Sequence, residues 1–476
     1  MNEPANILTS AVPALRRTLG LRDVILFFVT AGTNLQWVAT AAAAGPSSLL
    51  VWVIGALAMF MPLSVCVVFL SSRFPEQGGM YAWSKRAFGP FAGFMTGWTY
   101  WTSNLPYFPG LLYFAAGNAL FLTGGGSTQA LAGSPTYFIT FALLGLLLAT
   151  WLNIIGLDVA KWLSNIGAFA RWGATLVLIG LGLMIWWRFG SASPINADSL
   201  TPGFGVAQLV FWSTIAFAWT GPESAAFMSG EIHNPERTVP RALATAAPMI
   251  ALIYILGTLS VLVAVPPAET SALYGVMQAI ERSETRLGLT GVVPIAAILV
   301  TVTCLGSVGA WLGSVARIPF VAGIDRFLPA SFGRLHPKWR TPIVALATQS
   351  TIAALFVFLG QAGTTVKGAY DVLVSMMVIA VLLPFVPLFG AAIKLSAAPA
   401  QPGDIHIPGG RVTIVLMGLI GLATTLSSIV LATLPPPGDS NHAFAVLKIL
   451  GGTGVMVGAG VAVYFVCRRR ARNSST

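Results

Sequence analysis

The chain has 476 residues, of which 56% are hydrophobic and only 9% charged, and its mean hydropathy is +0.80. A soluble domain carries about 25% charged residues, so the composition excludes an ordinary soluble protein and points to an integral membrane protein. The net charge of +11 would suit a nucleic-acid partner, but the placement of the charges excludes that reading.

A membrane-crossing helix needs about 20 mostly apolar residues. Twelve such runs follow one another, at roughly 23–44, 48–70, 91–122, 136–156, 164–187, 206–229, 241–265, 291–315, 342–360, 370–394, 412–434 and 443–467. The third is long enough to tilt or to begin at the interface. The connections are short. The longest are 123–135, 188–205, 266–290 with a small amphipathic piece, and 316–341, which leaves no room for a second domain.

With the N-terminus taken as cytoplasmic, 20 Lys and Arg residues fall on inner segments, from Arg16, Arg17 and Arg22 to the closing Arg468, Arg469, Arg470 and Arg472. Only Arg188, Arg282, Arg286, Lys367 and Lys448 fall outside, and Arg171 lies within a span. That asymmetry is the positive-inside pattern. It predicts a multi-pass protein of the plasma (cytoplasmic, or inner) membrane with segments 1–22 and 468–476 both cytoplasmic. The partners expected are the bilayer and a small molecule, and no nucleic acid. The first run is too long for a signal-peptide core and reads as a retained helix.

Cys66, Cys304 and Cys467 are scattered, so neither a disulfide framework nor a metal site is indicated. No phosphate-binding loop of the GxxxxGK[ST] type occurs, and no cofactor is expected. No Ser-His, metal or paired-carboxylate constellation lies within the spans, which argues against an enzyme. His233, His336, His406 and His442 all fall in predicted loops, so a histidine proton relay in the membrane is excluded.

Two runs carry irregularities. The first contains "TAGTN" (Thr30 to Asn34), with Gly32 and Thr33 where apolar residues are expected. The sixth contains "WTGPES" (Trp219 to Ser224). Proline lacks an N–H and clashes with the preceding turn, so the sixth helix is expected to open at Gly221-Pro222. Thr33 lies ten residues from Asp23, and Gly221 ten from Glu231. At 1.5 Å per residue, both breaks fall about 15 Å deep, near mid-bilayer. Interrupted spans in matching positions mark the substrate site of inverted-repeat transporters, whereas packing glycines in a plain bundle are the bland alternative.

Freed backbone groups cannot face lipid and must line a cavity or meet protein. Helix N-termini suit carboxylates and C-termini suit ammonium groups, so paired breaks are a plausible cradle for a zwitterion. Ala31, Gly32, Thr33, Asn34, Thr220 and Gly221 are the candidate cradle. Phe217, Trp219 and Trp311 either wall a side-chain pocket or simply pack. Of the fifteen acids, Glu223 alone lies well inside a span. Low dielectric favours the neutral carboxyl group, so Glu223 either takes up protons or hydrogen-bonds a neighbouring helix. Arg171 acts either as a fixed cation near the first break, a stand-in for a bound ion, or as a partner of backbone carbonyls. "GVMVGAG" (Gly454 to Gly460) contains a GxxxG spacing, for which close helix packing is the ordinary explanation.

Several stretches together resemble the amino acid–polyamine–organocation permeases. "FPEQGGMYAWSKRAFGPFAGFMTGWTYW" (Phe74 to Trp101) is similar to their second loop and third helix. "GPESAAFMSGEIHNPERTVPRA" is similar to their sixth helix and the loop after it, with an NPxRxxP element at Asn234, Pro235, Arg237 and Pro240. "RIPFVAGIDRFLPASFGRLHPKWRTP" (Arg317 to Pro342) and "IPGG" (Ile407 to Gly410) resemble the segments before helices 9 and 11. "GPESA" and "CLGSVGAW" (Cys304 to Trp311) look most like the basic amino acid and polyamine antiporters.

The resemblance implies an all-α, twelve-helix fold of the five-plus-five inverted-repeat (LeuT-like) type. Residues 23–187 would form one repeat, 206–394 the other, and 412–467 helices 11 and 12, all within one transporter domain spanning 23–467. It implies that Phe217 and Trp311 are pocket aromatics, that Glu223 is the helix 6 acid tied to proton sensitivity, and that Ala31, Gly32 and Thr33 receive a substrate carboxylate. Arg171 sits where some proton-coupled members have a lysine. The usual helix 1 signature is absent: "AGTNLQWVA" brings in Asn34, Gln36 and Trp37. Permease activity toward amino acids, by proton symport or exchange, is therefore expected first. A polyamine or amine–amino acid antiporter comes second, because several ammonium groups want more than one acid. A non-transporting amino acid sensor comes last, since such sensors carry a signalling extension.

Overall fold

Polar backbone in a bilayer is satisfied internally, and helices do this segment by segment. A computed structural model of the protein describes residues 19–74, 79–122, 130–224, 232–319, 328–399, 405, 407–434 and 442–473. Among these residues the chain is helical, with a single isolated parallel bridge between Leu19 and Ile232. Among the described residues, ten helices are long and apolar enough to cross a membrane, and one bent pair makes an eleventh if it forms a single span.

The bent pair comes first: α1 (Leu21–Gly32) and α2 (Leu35–Ala44) meet at 47°. Then follow α3 (Ser48–Arg73), α4 (Met80–Phe88), α5 (Pro90–Leu122), α6 (Pro135–Ile155) and α7 (Leu157–Phe189). The second half holds α8 (Val206–Ala218), α9 (Pro235–Ala264), α10 (Gly275–Leu287) and α11 (Val292–Val315). The chain continues through α12 (Ile343–Gln361), α13 (Val366–Leu395), α14 (Gly410–Leu431) and α15 (His442–Asn473).

Two helices start earlier than the apolar runs suggest. α7 begins at Leu157 rather than near 164, because Gly156 at φ +143° ends α6 and turns the chain directly into the next helix. α9 begins at Pro235, since a first-turn position needs no N–H and suits proline. The amphipathic piece expected in 266–290 is α10. It buries Val276, Met277, Ala279 and Ile280 and keeps an Arg282–Glu269 ion pair at 2.7 Å on its wet side. Both Glu284 carboxylate oxygens accept backbone N–H groups at the start of α11, from Gly291 at 3.1 Å and Val293 at 2.5 Å.

Three expectations need correction. Lys448, counted among the outer charges, is buried within α15: its Nζ donates to the Gly360 carbonyl at 3.0 Å, where the end of α12 offers unpaired oxygens. His442 opens α15 instead of lying in a loop. Gly454 and Gly458 of the GxxxG spacing touch no neighbouring helix; the close approach belongs to Gly460, where a Cβ would meet Trp98 at 2.4 Å. Residues 75–78, 225–231, 320–327 and His406, which carry parts of the quoted motifs, lie outside the described residues.

One contact positions the site. α7 and α11 approach at Gly167 and Gly306, where a Cβ on either residue would fall 2.8 Å from the other's Cα. Only glycine permits that backbone approach. One turn further along α7 stands Arg171, facing Ser307 beside Gly306.

Candidate functional site

The first irregularity is a true break. α1 stops at Gly32 and α2 starts at Leu35, with Thr33 and Asn34 extended between them. Four carbonyls at the end of a helix lose their partners, and here side chains take three of them, those of Val29, Thr30 and Gly32. Thr33 Oγ1 donates to the Val29 carbonyl at 2.7 Å. The Arg171 guanidinium donates to the Thr30 carbonyl, to the Thr33 carbonyl at 2.8 Å and to Ser307 Oγ at 2.5 Å. Tyr254 of α9 donates its hydroxyl to the Gly32 carbonyl at 2.7 Å and accepts the Asn34 N–H at 3.2 Å. On the far side of the break, Asn34 Oδ1 caps α2 by accepting the Gln36 N–H at 3.1 Å, as asparagine does at helix starts.

The second break is built locally. α8 ends at Ala218, a little before the expected Gly221-Pro222 position. The residue before a proline is biased away from the helical region, and Gly221 stands at φ +135°, which ends the helix ahead of the pair. The Gly221 N–H donates to the Glu223 carboxylate at 2.7 Å, and Ser224 Oγ donates to the Gly221 carbonyl at 2.5 Å. Thr220 Oγ1 turns back to the Phe217 carbonyl at 2.8 Å.

The two breaks face one cavity of about 90 Å³. Of the sequence candidates, Ala31, Gly32, Asn34, Phe217, Thr220, Gly221, Glu223 and Trp311 line it. Glu223 is only 3% exposed. Trp37 of α2 packs edge-on against Phe217, with ring centroids 5.2 Å apart, and ties the two breaks together across the cavity wall.

Three candidates sit elsewhere. Thr33 turns its hydroxyl back into α1 and does not line the cavity. Trp219 is 1% exposed and packs behind the wall, because its Nε1 donates to the Trp52 carbonyl at 3.1 Å. Gly55 leaves room for its ring: a Cβ there would meet Trp219 Cδ1 at 2.8 Å. Trp219 and Trp52 flank Tyr254, the latter stacked face to face at 4.0 Å, so this cluster holds Tyr254 in place rather than a ligand. Arg171 lies behind the break, on its carbonyls, and is also outside the lining.

Other lining residues were not singled out from the sequence. Tyr100, Ser103, Asn104 and Tyr107 come from the middle of α5, and Tyr254 from α9. A polar run "TSN" (Thr102 to Asn104) in mid-span was a readable signal for the first group. Tyr254 is the single tyrosine of the 241–265 run, a weaker signal. Val381 offered none. No group of three or more metal-ligating side chains occurs among the described residues.

Comparison with known proteins agrees with this architecture. The chain is 28% identical over 431 residues to an uncharacterized transporter of Legionella pneumophila, covering 88% of this chain and 90% of that one. An uncharacterized transporter of Mycobacterium tuberculosis is 25% identical over 470 residues, covering 97% and 94%. The putrescine transporter PotE of Haemophilus influenzae is 26% identical over 365 residues, covering 75% and 78%. The transporter-named relatives and the apolar helices point to a multi-pass membrane transporter. The family model described as amino acid permease matches residues 19–455, nearly the whole chain, and the protein belongs to the amino acid permease family.

Proposed function

We propose that the protein is a secondary active transporter that carries amino acids or related amines across the plasma membrane by alternating access. The observation that carries this reading is the meeting of two helix breaks around one cavity, whose lining among the described residues includes one carboxylate, the buried Glu223. Unwound backbone at mid-membrane is tolerated only beside protein or a water-filled cavity, and it supplies polar groups that a solute can use. Residues 23–187 and 206–394 are read as inverted repeats of a LeuT-like fold, 412–467 as helices 11 and 12, and both termini as cytoplasmic. Ala31, Gly32, Asn34, Thr220 and Gly221 form the floor of the site, and Phe217, Trp37 and Trp311 its walls.

Glu223 is the proposed proton site. Its carboxylate holds the Gly221 N–H at the break, so a change of charge there bears directly on the local backbone. Arg171 acts as a built-in cation on the broken end of α1, in the place where another carrier would hold an ion. Polyamine or amine exchange is the second reading, favoured by the likeness to a putrescine transporter.

Reconstitution into proteoliposomes with labelled amino acids and amines, with and without a pH gradient or an internal counter-substrate, tests both. Accumulation driven by the pH gradient supports symport, and accumulation only against a counter-substrate supports exchange. Glu223→Gln is expected to abolish the pH dependence of uptake; unchanged pH dependence removes Glu223 from coupling. Saturable binding with no movement under any gradient would leave a sensor.

A further inference from the structure

We propose that Asn34 and Tyr254 fill the anion seat at the first helix break, so that the cavity selects organic amines lacking an α-carboxylate over the parent amino acids. The inference rests on the reading that this cavity is the substrate site. A helix N-terminus attracts a carboxylate through its unpaired N–H groups. At the start of α2 three of the four are already spoken for: Gln36 N–H by Asn34 Oδ1, Trp37 N–H by the Asn34 carbonyl at 3.1 Å, and Asn34 N–H by the Tyr254 hydroxyl. The second break adds no free N–H at Gly221, whose donor is held by Glu223.

Four side-chain donors of the lining are committed in the same way. Tyr254 donates to Gly32, Thr220 to Phe217, and both Ser103 Oγ and Asn104 Nδ2 donate to the Tyr100 carbonyl at 2.8 Å. What the cavity offers a ligand is one carboxylate and a set of aromatic faces, from Trp37, Phe217, Tyr107 and Trp311. Aromatic faces and a carboxylate attract an ammonium group. A carboxylate brought here would lose its hydration beside Glu223 and gain few donors in return, which disfavours it strongly.

The test is binding by the full-length protein in lipid nanodiscs to three matched pairs that differ only in the carboxyl group: ornithine and putrescine, leucine and isopentylamine, phenylalanine and phenethylamine. At least one amine is expected to bind about tenfold or more tighter than its parent acid, the loss expected when a charged group goes without hydrogen bonds. Asn34→Gly frees the Gln36 N–H, and Tyr254→Phe frees the Asn34 N–H. Either variant is expected to narrow the amine-to-acid ratio, a readout that a purely structural role leaves unchanged. Parity or a preference for the acids in the native protein overturns the inference while leaving the site reading intact. A ratio unmoved by both variants overturns the roles of Asn34 and Tyr254. Binding of none of the six overturns the site reading itself.

Discussion

The two helix breaks solve one problem in opposite ways. At the second, the chain satisfies its own exposed backbone: Thr220, Glu223 and Ser224 all reach groups within three residues of themselves. At the first, the chain borrows. Arg171 arrives from 138 positions away and Tyr254 from 220. A local break carries its geometry in its own sequence, through glycine, proline and short polar side chains. A borrowed break has its geometry written on other helices, so it is sensitive to how those helices pack. The lesson is that two breaks lining one cavity need not be built alike.

That contrast sets the expected effects of substitution. The largest belongs to Gly221→Leu. Gly221 stands at φ +135°, a conformation that a side chain strains, and no described atom lies within 4 Å of a Cβ built there, so the Cβ itself meets no crowding. Such strain costs about 1–3 kcal/mol, enough to refold the loop. Uptake into proteoliposomes is expected to fall by about a hundredfold, as 2.7 kcal/mol in a barrier would give; near-normal uptake would mean that the second break is not part of the site.

Arg171→Met is next. It strips the donor from two backbone carbonyls and a hydroxyl at the borrowed break, at about 1–3 kcal/mol for each group left buried without a partner. The melting temperature is expected to drop by several degrees and uptake to fall with it. Arg171→Lys restores only part, since an ammonium group is a point charge without the guanidinium fork. Full function in the lysine variant would show that charge alone suffices.

Gly306→Val is expected to mimic a weaker Arg171→Met, because a side chain at the α7–α11 contact pushes Arg171 back from the break. Overpacking of this kind costs typically 1–3 kcal/mol. Thermal melting of the single and double variants checks it: additive losses would separate the contact from Arg171, whereas a shared loss joins them.

The smallest effect is that of Trp219→Phe. It removes the hydrogen bond to the Trp52 carbonyl, worth about 1 kcal/mol, and keeps most of the packing. A slight loss of thermal stability is expected with substrate affinity nearly unchanged. A large loss of affinity would return Trp219 to the cavity wall.

Much of the fold was legible. Hydropathy set the spans because lipid allows few alternatives to helices, and α1, α3, α5, α6 and α11 lie close to their apolar runs. Boundaries at α7 and α9 were missed where Gly156 and Pro235 start helices in polar sequence. The local break was legible at Gly221-Pro222, and with it Glu223. Position along the sequence could not separate Phe217, which lines the cavity, from Trp219 two residues on, which does not; that depends on the room left by Gly55. Thr33 was misplaced for a related reason, since a threonine hydroxyl readily bonds back to the preceding turn. Tyr254 gave only a weak signal, because a tyrosine in an apolar run announces its burial and nothing about whom it meets.

Arg171 has an electrical consequence. A guanidinium keeps its charge at any pH the cell reaches. The broken end of α1 therefore holds the same charge whether the cavity is empty or filled, and it contributes no change of charge of its own between the two. On the proposed mechanism, the current that accompanies transport counts the cargo and any proton taken up at Glu223. Each net positive charge that crosses responds to voltage by about 2.3 kcal/mol per 100 mV. A membrane potential imposed on vesicles thus separates a neutral zwitterion, a lone amine and a one-for-one exchange of cations by the sign and slope of the response.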